Sequence, residues 1–279
     1  MLNCVNIIKE IRRGDFMAFG VTFKRYEKKY LINSEQYEAL KIEIDKHFVP
    51  DEYGETKICN LYYDTPNYLT IRRSIEKPVF KEKLRLRTYG VPNDTTTAFC
   101  EVKRKFKSVV YKRRIHLPYV DALKYLNKNY DKFDDTQISR EIKYLLDFYG
   151  TLEPKFYISY DRCAYFYKET SDIRITFDRN ITWRSNDLDL RLGSYGDQLL
   201  PQNYTLMEIK VPNTVPLWLS QLMSQLGIRA SSFSKVGNAY KKMLRSDYDI
   251  RLGHTVVLDE QLFEDAFDEN EYIAQGVDE

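Results

Sequence analysis

The sequence predicts an α+β protein built round a closed antiparallel β-barrel of about eight strands with flanking helices. Three observations lead there. Alternating segments of strand length are more numerous than helical ones; no βαβ rhythm and no glycine-rich phosphate loop occurs; and cations fall on every second position of several predicted strands.

The elements follow in chain order. Phe23–Ile32 alternates as a strand, and Asn33-Ser34 then opens a helix in which Leu40, Ile44 and His47-Phe48 share one face. Lys57–Asp64 reads as a second strand closed by Thr65-Pro66-Asn67, and strands follow at about 79–89, 97–106 and 108–117, the last ended by Pro118. Helices are expected at about 119–128 and 136–149, with Gly150 as the C-cap residue. Lys155–Lys168, Ile173–Arg184 and Tyr204–Val211 return to strand, and helical stretches at about 215–226 and 234–246 complete the body.

The chain has 279 residues, 43% hydrophobic, which excludes disorder for most of its length. No apolar run approaches the roughly 20 residues of a membrane span and no signal-like block opens the chain, so a cytoplasmic location is expected. Cys4, Cys59, Cys100 and Cys163 stand singly, which excludes a zinc knuckle and argues against a disulfide framework. His47, His116 and His254 are equally scattered and receive no catalytic role. Without repeats or linkers, the expected organisation is an extension over 1–19, one domain over 20–251 and a tail over 252–279.

The formal net charge of +2 hides an asymmetry. Beyond Arg251 the chain carries nine acidic residues and no Lys or Arg, so residues 1–251 hold 43 basic against 32 acidic side chains. A basic body implies an anionic partner. Residues two apart on a strand point the same way, so Arg25, Glu27 and Lys29 share a face, as do Lys83, Arg85 and Arg87; Glu101, Lys103 and Lys105; Lys112 and Arg114; and Glu208 and Lys210. The alternate positions are apolar or aromatic, among them Tyr26, Leu84, Leu86, Val102, Ile115, Met207 and Ile209.

Any one of these faces taken alone reads more readily as an ordinary solvated strand surface. Repetition over five strands changes that, because like charges opposite one another destabilise a sheet. Two unit charges about 4 Å apart repel by roughly 4 kcal/mol at an effective dielectric near 20. A polyanion between them reverses the sign. The bore of a small barrel suits an extended phosphate chain and not a nucleic acid duplex; the 23 tyrosines and 15 phenylalanines leave single-stranded nucleic acid as a residual alternative, although most sit at core-facing positions. Glu27, Glu101 and Glu208 on the cationic faces fit either salt bridges to neighbouring Lys and Arg or a Mg²⁺ or Mn²⁺ ion held by one or two carboxylates plus substrate phosphates.

Arg25-Tyr26-Glu27-Lys28-Lys29-Tyr30, Leu61-Tyr62-Tyr63-Asp64-Thr65, Lys83-Leu84-Arg85-Leu86-Arg87, Glu101-Val102-Lys103, Tyr111-Lys112-Arg113-Arg114, Arg174-Ile175-Thr176-Phe177-Asp178, Glu208-Ile209-Lys210 and Phe233-Ser234-Lys235 together resemble the VTC domain. This is the polyphosphate-polymerase module of the vacuolar transporter chaperone complex, a branch of the triphosphate tunnel metalloenzymes of the CYTH-like superfamily. The resemblance spans about residues 20–245. It implies that Lys29, Arg85, Arg87, Lys103, Lys112, Arg174 and Lys235 line a tunnel and grip phosphates, that Ser234 helps bind the terminal phosphate, and that Arg25, Lys105, Arg184 and Lys210 are further phosphate-binding positions. Glu208 would hold the Mn²⁺ or Mg²⁺. The implied reaction moves the γ-phosphoryl of ATP onto polyphosphate and releases ADP, with a triphosphate hydrolase or a non-catalytic polyphosphate-binding module as alternatives. Where triphosphatases of the wider superfamily carry two alternating glutamates before the lysine, the first is Arg25 here, which favours the polymerase branch.

Overall fold

A computed structural model of the chain describes residues 26–107, 109–130 and 133–252, with side chains to 246. Its centre is one antiparallel sheet made by β1 (Tyr26–Asn33), β2 (Phe48–Pro50), β3 (Thr56–Asp64), β4 (Phe80–Tyr89), β5 (Thr97–Phe106), β6 (Val109–Pro118), β7 (Glu153–Tyr167), β8 (Arg174–Arg184), β9 (Asp197–Gln198), β10 (Tyr204–Val211) and β11 (Ala230–Ser231). The main path runs β11-β1-β10-β8-β7-β3-β4-β5-β6, with β2 on β7 and β9 on β8. The helices are α1 (Ser34–His47), α2 (Leu69–Ile75), α3 (Tyr119–Leu126), α4 (Gln137–Tyr149), α5 (Leu217–Gln225) and α6 (Lys235–Leu252).

Long strands and helices fall where the alternation places them, and two caps explain helix boundaries. Asn33 accepts a hydrogen bond from the Gln36 amide while Gln36 returns one to Asn33, a capping box that starts α1. Gly150, at φ 70°, ends α4 in a conformation that costs a residue without a Cβ little.

The expected barrel does not close. The sheet has eleven strands, and β6 and β11 end its path without pairing to each other. Both edges are poor templates: β11 has two residues, and β6 exposes Lys112 and Arg114, charges that discourage strand addition. The sheet nevertheless curls far enough for Glu27 on β1 to reach Lys103 on β5, 3.6 Å away.

Three apolar clusters fix this curl. On the convex side, α3 and α4 cover Leu61, Leu84, Leu86, Cys100 and Val102, while α1 and α5 cover Tyr30, Ile32, Ile175, Phe177, Met207 and Ile209. The third lies on the concave side, where Phe233, Val236, Ala239 and Tyr240 around α6 pack on Leu31, Tyr62, Ile158, Ile181 and Leu206. The concave face is therefore apolar where α6 covers it and charged beyond. The expected extension over 1–19 and the tail beyond Leu252 lie outside the described residues.

Candidate functional site

The register of β1 on β10 sets the first half of the charged face. Glu27 lies opposite Lys210 and Lys29 opposite Glu208, so acids and lysines alternate diagonally on one surface. Glu208 is buried and has Lys29 at 3.5 Å, Lys235 at 3.6 Å, and Arg162 and Lys210 at 3.8 Å. Burial alone would raise its carboxyl; Lys29, Lys235, Arg162 and Lys210 outweigh that and hold it well below the usual carboxylate range. Burial likewise opposes ionisation of Glu27, and Lys103 together with Lys210 and Lys29 outweighs it, leaving it lowered.

Beside it, Asp178 on β8 is wholly buried. Arg162 on β7 grips it with Nε and Nη2 at 2.6 and 2.7 Å, and Lys235, the first residue of α6, bonds the same carboxylate. Despite full desolvation, Arg162 and Lys235 keep the Asp178 carboxyl lowered. Tyr160 lies under both cations, 5.1 Å from the Arg162 guanidinium and 4.5 Å from the Lys235 ammonium.

The second half is a ladder across β4, β5 and β6, whose register places Arg85 opposite Glu101 and Glu101 opposite Arg114. Arg85 donates to Glu101 at 2.7 Å and to the Tyr62 hydroxyl at 3.2 Å. Arg87 donates to Asn60 Oδ1 at 3.0 Å and to the Tyr160 hydroxyl at 3.3 Å, and lies 3.8 Å from Glu101. Arg114 approaches the other oxygen of Glu101 at 3.6 Å.

The two halves meet at the start of α6. Lys29 donates to the Phe233 carbonyl at 2.9 Å, and Lys83 donates to Ser234 Oγ at 3.2 Å. The Gly237 amide also donates to Ser234 Oγ, so this hydroxyl caps the helix whose amino end faces the cations. Among the described residues Lys83 has no carboxylate at salt-bridge distance. Burial, reinforced by Lys29, Lys81, Lys103 and Arg85, pushes its pKa down to about 7. Burial takes Lys103 down to about 8 although Glu27 pulls the other way, and Lys210 to about 8 against the pull of Glu208 and Glu27.

The structure thus gathers Lys29, Arg85, Arg87, Lys103, Lys210, Ser234, Lys235, Glu27, Glu101 and Glu208 on one concave surface. Lys112 lies opposite Lys103 at its exposed margin and Lys105 opposite Lys81 at its end. Arg174 shares the face of Lys210 but reaches outward to Asp51 at 3.2 Å and stacks on Phe166. Arg184 belongs elsewhere: it donates to the carbonyls of Asp187, Asp189, Gly193 and Tyr195 between the rings of Tyr157 and Tyr195, a buried loop staple rather than a phosphate ligand. Arg25 lies outside the described residues. Arg162, Asp178, Tyr62, Tyr160 and Asn60 were not among the candidates expected from the sequence, and Lys83 entered only through its alternation with Arg85.

A divalent cation would find Glu208 and Glu27 on adjacent strands of one face, ionised and close enough to influence each other. Among the described residues no cluster of three His, Cys, Asp or Glu side chains could hold a metal alone. That donor set fits an ion completed by phosphate oxygens, the usual manner of Mg²⁺. Glu101 does not fit the ligand role expected for it, because Arg85 bonds it at 2.6 and 2.7 Å with Arg87 and Arg114 nearby, whereas the cations around Glu208 all stand 3.5 Å or more away.

A curled antiparallel sheet enclosing a cationic face defines the class, and the VTC domain family matches residues 24–244. The chain belongs to the VTC domain family. Among solved structures it is similar to an adenylate cyclase-like protein from Bacillus halodurans (14% identity, TM-score 0.44, covering 72% of this chain and 86% of that one). A Hippeastrum adenylyl cyclase-like protein with a dominant triphosphatase activity is similar too (15%, 0.43, 84% and 98%), as is the Mimivirus capping-enzyme triphosphatase (11%, 0.29, 72% and 86%). No curated relative matches by sequence. Among the described residues no helix is long and apolar enough to cross a membrane.

Proposed function

We propose that the protein is a metal-dependent polyphosphate polymerase that transfers the γ-phosphoryl of ATP to a growing polyphosphate chain on its concave face. One observation carries the reading. Among the described residues the cations Lys29, Lys81, Lys83, Arg85, Arg87, Lys103, Arg162, Lys210 and Lys235 share that face with the carboxylates Glu27, Glu101, Asp178 and Glu208, and burial reinforced by that surplus brings Lys83 to about 7. Such a surface is complementary to a linear polyanion, whose charges favour the protonated lysines that burial and crowding disfavour. Membership of the VTC domain family supports the same choice.

In this mechanism Arg85, Arg87, Lys103 and Lys83 orient the triphosphate along the face, while Lys235, Arg162 and Lys29 hold the acceptor end. A terminal phosphate oxygen of the acceptor attacks the γ-phosphorus, the bond from the β–γ bridging oxygen to that phosphorus breaks, and ADP leaves with the electron pair. The attacking oxygen is already ionised at neutral pH, so no general base is required and catalysis rests on positioning and charge neutralisation. A Mn²⁺ or Mg²⁺ ion held by Glu208 and Glu27 would supply further charge neutralisation at the phosphates.

Incubation of the pure chain with ATP and Mn²⁺ tests the proposal. Long-chain polyphosphate and ADP are expected. Orthophosphate as the sole product makes it a hydrolase, and absence of turnover with retained tripolyphosphate binding makes it a binding module.

A further inference from the structure

At the end of the sheet formed by the start of β4 and the β5–β6 hairpin, Lys81 and Lys105 mark the margin of the site just described, and the convex surface takes no part in it. Phe80, Phe106 and Val109 lie opposite one another across three strands, on the convex side beyond the ion pairs Arg104–Glu82, Arg104–Glu141 and Arg113–Glu141 that border the core. The Lys107 amide donates to the Val79 carbonyl at 2.7 Å, which ties the hairpin turn to the β4 start. Val79 is 62% exposed, Phe80 47%, and Phe106, Val109, Val110 and Tyr111 are exposed as well. A contiguous apolar tip of this kind marks an interaction surface.

Its charge is one-sided. Lys77 and Lys107 are exposed at the turn, and the Lys107 ammonium lies 5.8 Å from the Phe106 ring. Lys81 and Lys105 stand opposite each other one residue inward. Within 77–83 and 103–114 the only acid is Glu82, which is buried and bonded to Arg104 and Tyr149; Glu76 is the nearest exposed carboxylate in sequence. Phosphate chains would use the lysines but have no use for the aliphatic and aromatic side chains on the convex side. A surface that is apolar beneath and uniformly anionic above uses both.

We propose that this tip docks the protein on an anionic lipid surface, with Val79, Phe80, Phe106 and Val109 entering the headgroup boundary and Lys77 and Lys107 meeting the lipid phosphates. The tip is convex, and within 77–83 and 103–114 its lysines are accompanied by no exposed acid among the described residues, which suits a continuous sheet of negative charge better than the mixed charges of a protein face.

The test is sedimentation of the full chain with sucrose-loaded vesicles of phosphatidylcholine alone or with about 30% phosphatidylglycerol, in saturating tripolyphosphate so that the concave cations are occupied. The expected result is binding to the anionic vesicles only. It should weaken by about tenfold in both Phe80→Ser/Phe106→Ser and Lys77→Glu/Lys107→Glu, each with a wild-type melting temperature and unchanged tripolyphosphate affinity. Absence of wild-type binding, or equal binding by both folded variants, overturns the proposal. It is overturned as well if the wild type is a dimer that the Phe80→Ser/Phe106→Ser variant converts to monomer, which assigns the tip to a second copy of the chain. None of these outcomes depends on which reaction the concave face catalyses.

Discussion

Glu27 and Lys103 lie 3.6 Å apart although their strands, β1 and β5, share no hydrogen bonds. The concave face is thus spanned by a side-chain ion pair where a closed barrel would have a backbone ladder. A single side-chain ion pair can open for a ligand, whereas a backbone ladder cannot.

That pair leads to a comparison of three acids. Glu208→Gln and Glu27→Gln should each raise the Mn²⁺ concentration needed for half-maximal activity by about tenfold or more, because each removes one of two available carboxylate ligands. Tripolyphosphate binding without metal should persist in both, and tighten in Glu27→Gln as Lys103 is released. Glu101→Gln should leave the Mn²⁺ requirement unchanged and weaken triphosphate binding, since it frees Arg85 and Arg87 from their shared anchor. A shifted Mn²⁺ requirement in Glu101→Gln would falsify this division of roles.

Legibility in the sequence follows the same division. Every long element was visible because alternation and caps are local, whereas β2, β11 and α2 are too short to show a period. Arg85, Lys103 and Glu208 stood out because they repeat at spacing two. Arg162 and Asp178 did not: Arg162 is a lone charge in the aromatic strand Tyr157–Tyr167, whose register shifts between Ser159 and Asp161, and nothing local says that Asp178 faces it from β8. Glu101 was legible as a carboxylate on a cationic face but not as an arginine anchor, because Arg85 and Arg114 come opposite it only through pairing on both sides. Closure was misjudged since strand count does not say whether the edges meet.

Binding of a polyanion should take up protons. Free Lys83 sits at about 7, and Lys103 and Lys210 at about 8, so at pH 8 all three are partly neutral. Phosphate charge stabilises their protonated forms, so affinity should be greatest below pH 7 and fall as pH rises through 7 to 8 and beyond. Calorimetry of tripolyphosphate binding at pH 8 in two buffers of different ionisation enthalpy reads the uptake directly. Lys83→Met should reduce it, and buffer-independent heats in the wild type would remove the premise.

The same lysine sets a stability trend of opposite sign to that of an ordinary ion-paired lysine. Its folded pKa of about 7 lies below the usual 10.5, so between those values the unfolded chain binds more protons and stability attributable to Lys83 rises with pH. Lys83→Met should therefore melt a few degrees higher than wild type at pH 6.5, and the gap should shrink toward pH 10. A variant less stable than wild type at pH 6.5 contradicts this.

Arg87→Ala should lose most turnover and also some stability. It removes donors to Asn60 and Tyr160 inside a buried network, and an orphaned buried acceptor costs about 1–3 kcal/mol. Sequence reasoning alone expects relief of repulsion and hence an equal or higher melting temperature; the pairing of Arg87 with neighbouring acceptors reverses that expectation. Thermal melts beside activity assays decide between the two.

The strongest structural effect should come from Asp178→Asn, which preserves shape and removes one charge. Arg162 and Lys235 then face each other in a buried site with only Glu208 to compensate them, and breaking a buried pair typically costs about 3–5 kcal/mol. In a chain of this size that corresponds to a melting temperature lower by roughly 10 °C. Because the Asp178 carboxyl is lowered in the folded protein, its contribution is present at neutral pH and is lost only in acid below its ordinary 3.8, so the deficit should be full at pH 7. Tripolyphosphate supplies the missing negative charge, so its stabilisation of Asp178→Asn should exceed that of wild type. A variant that melts with wild type, or that tripolyphosphate stabilises less, would show that Asp178 is not what holds these two cations together.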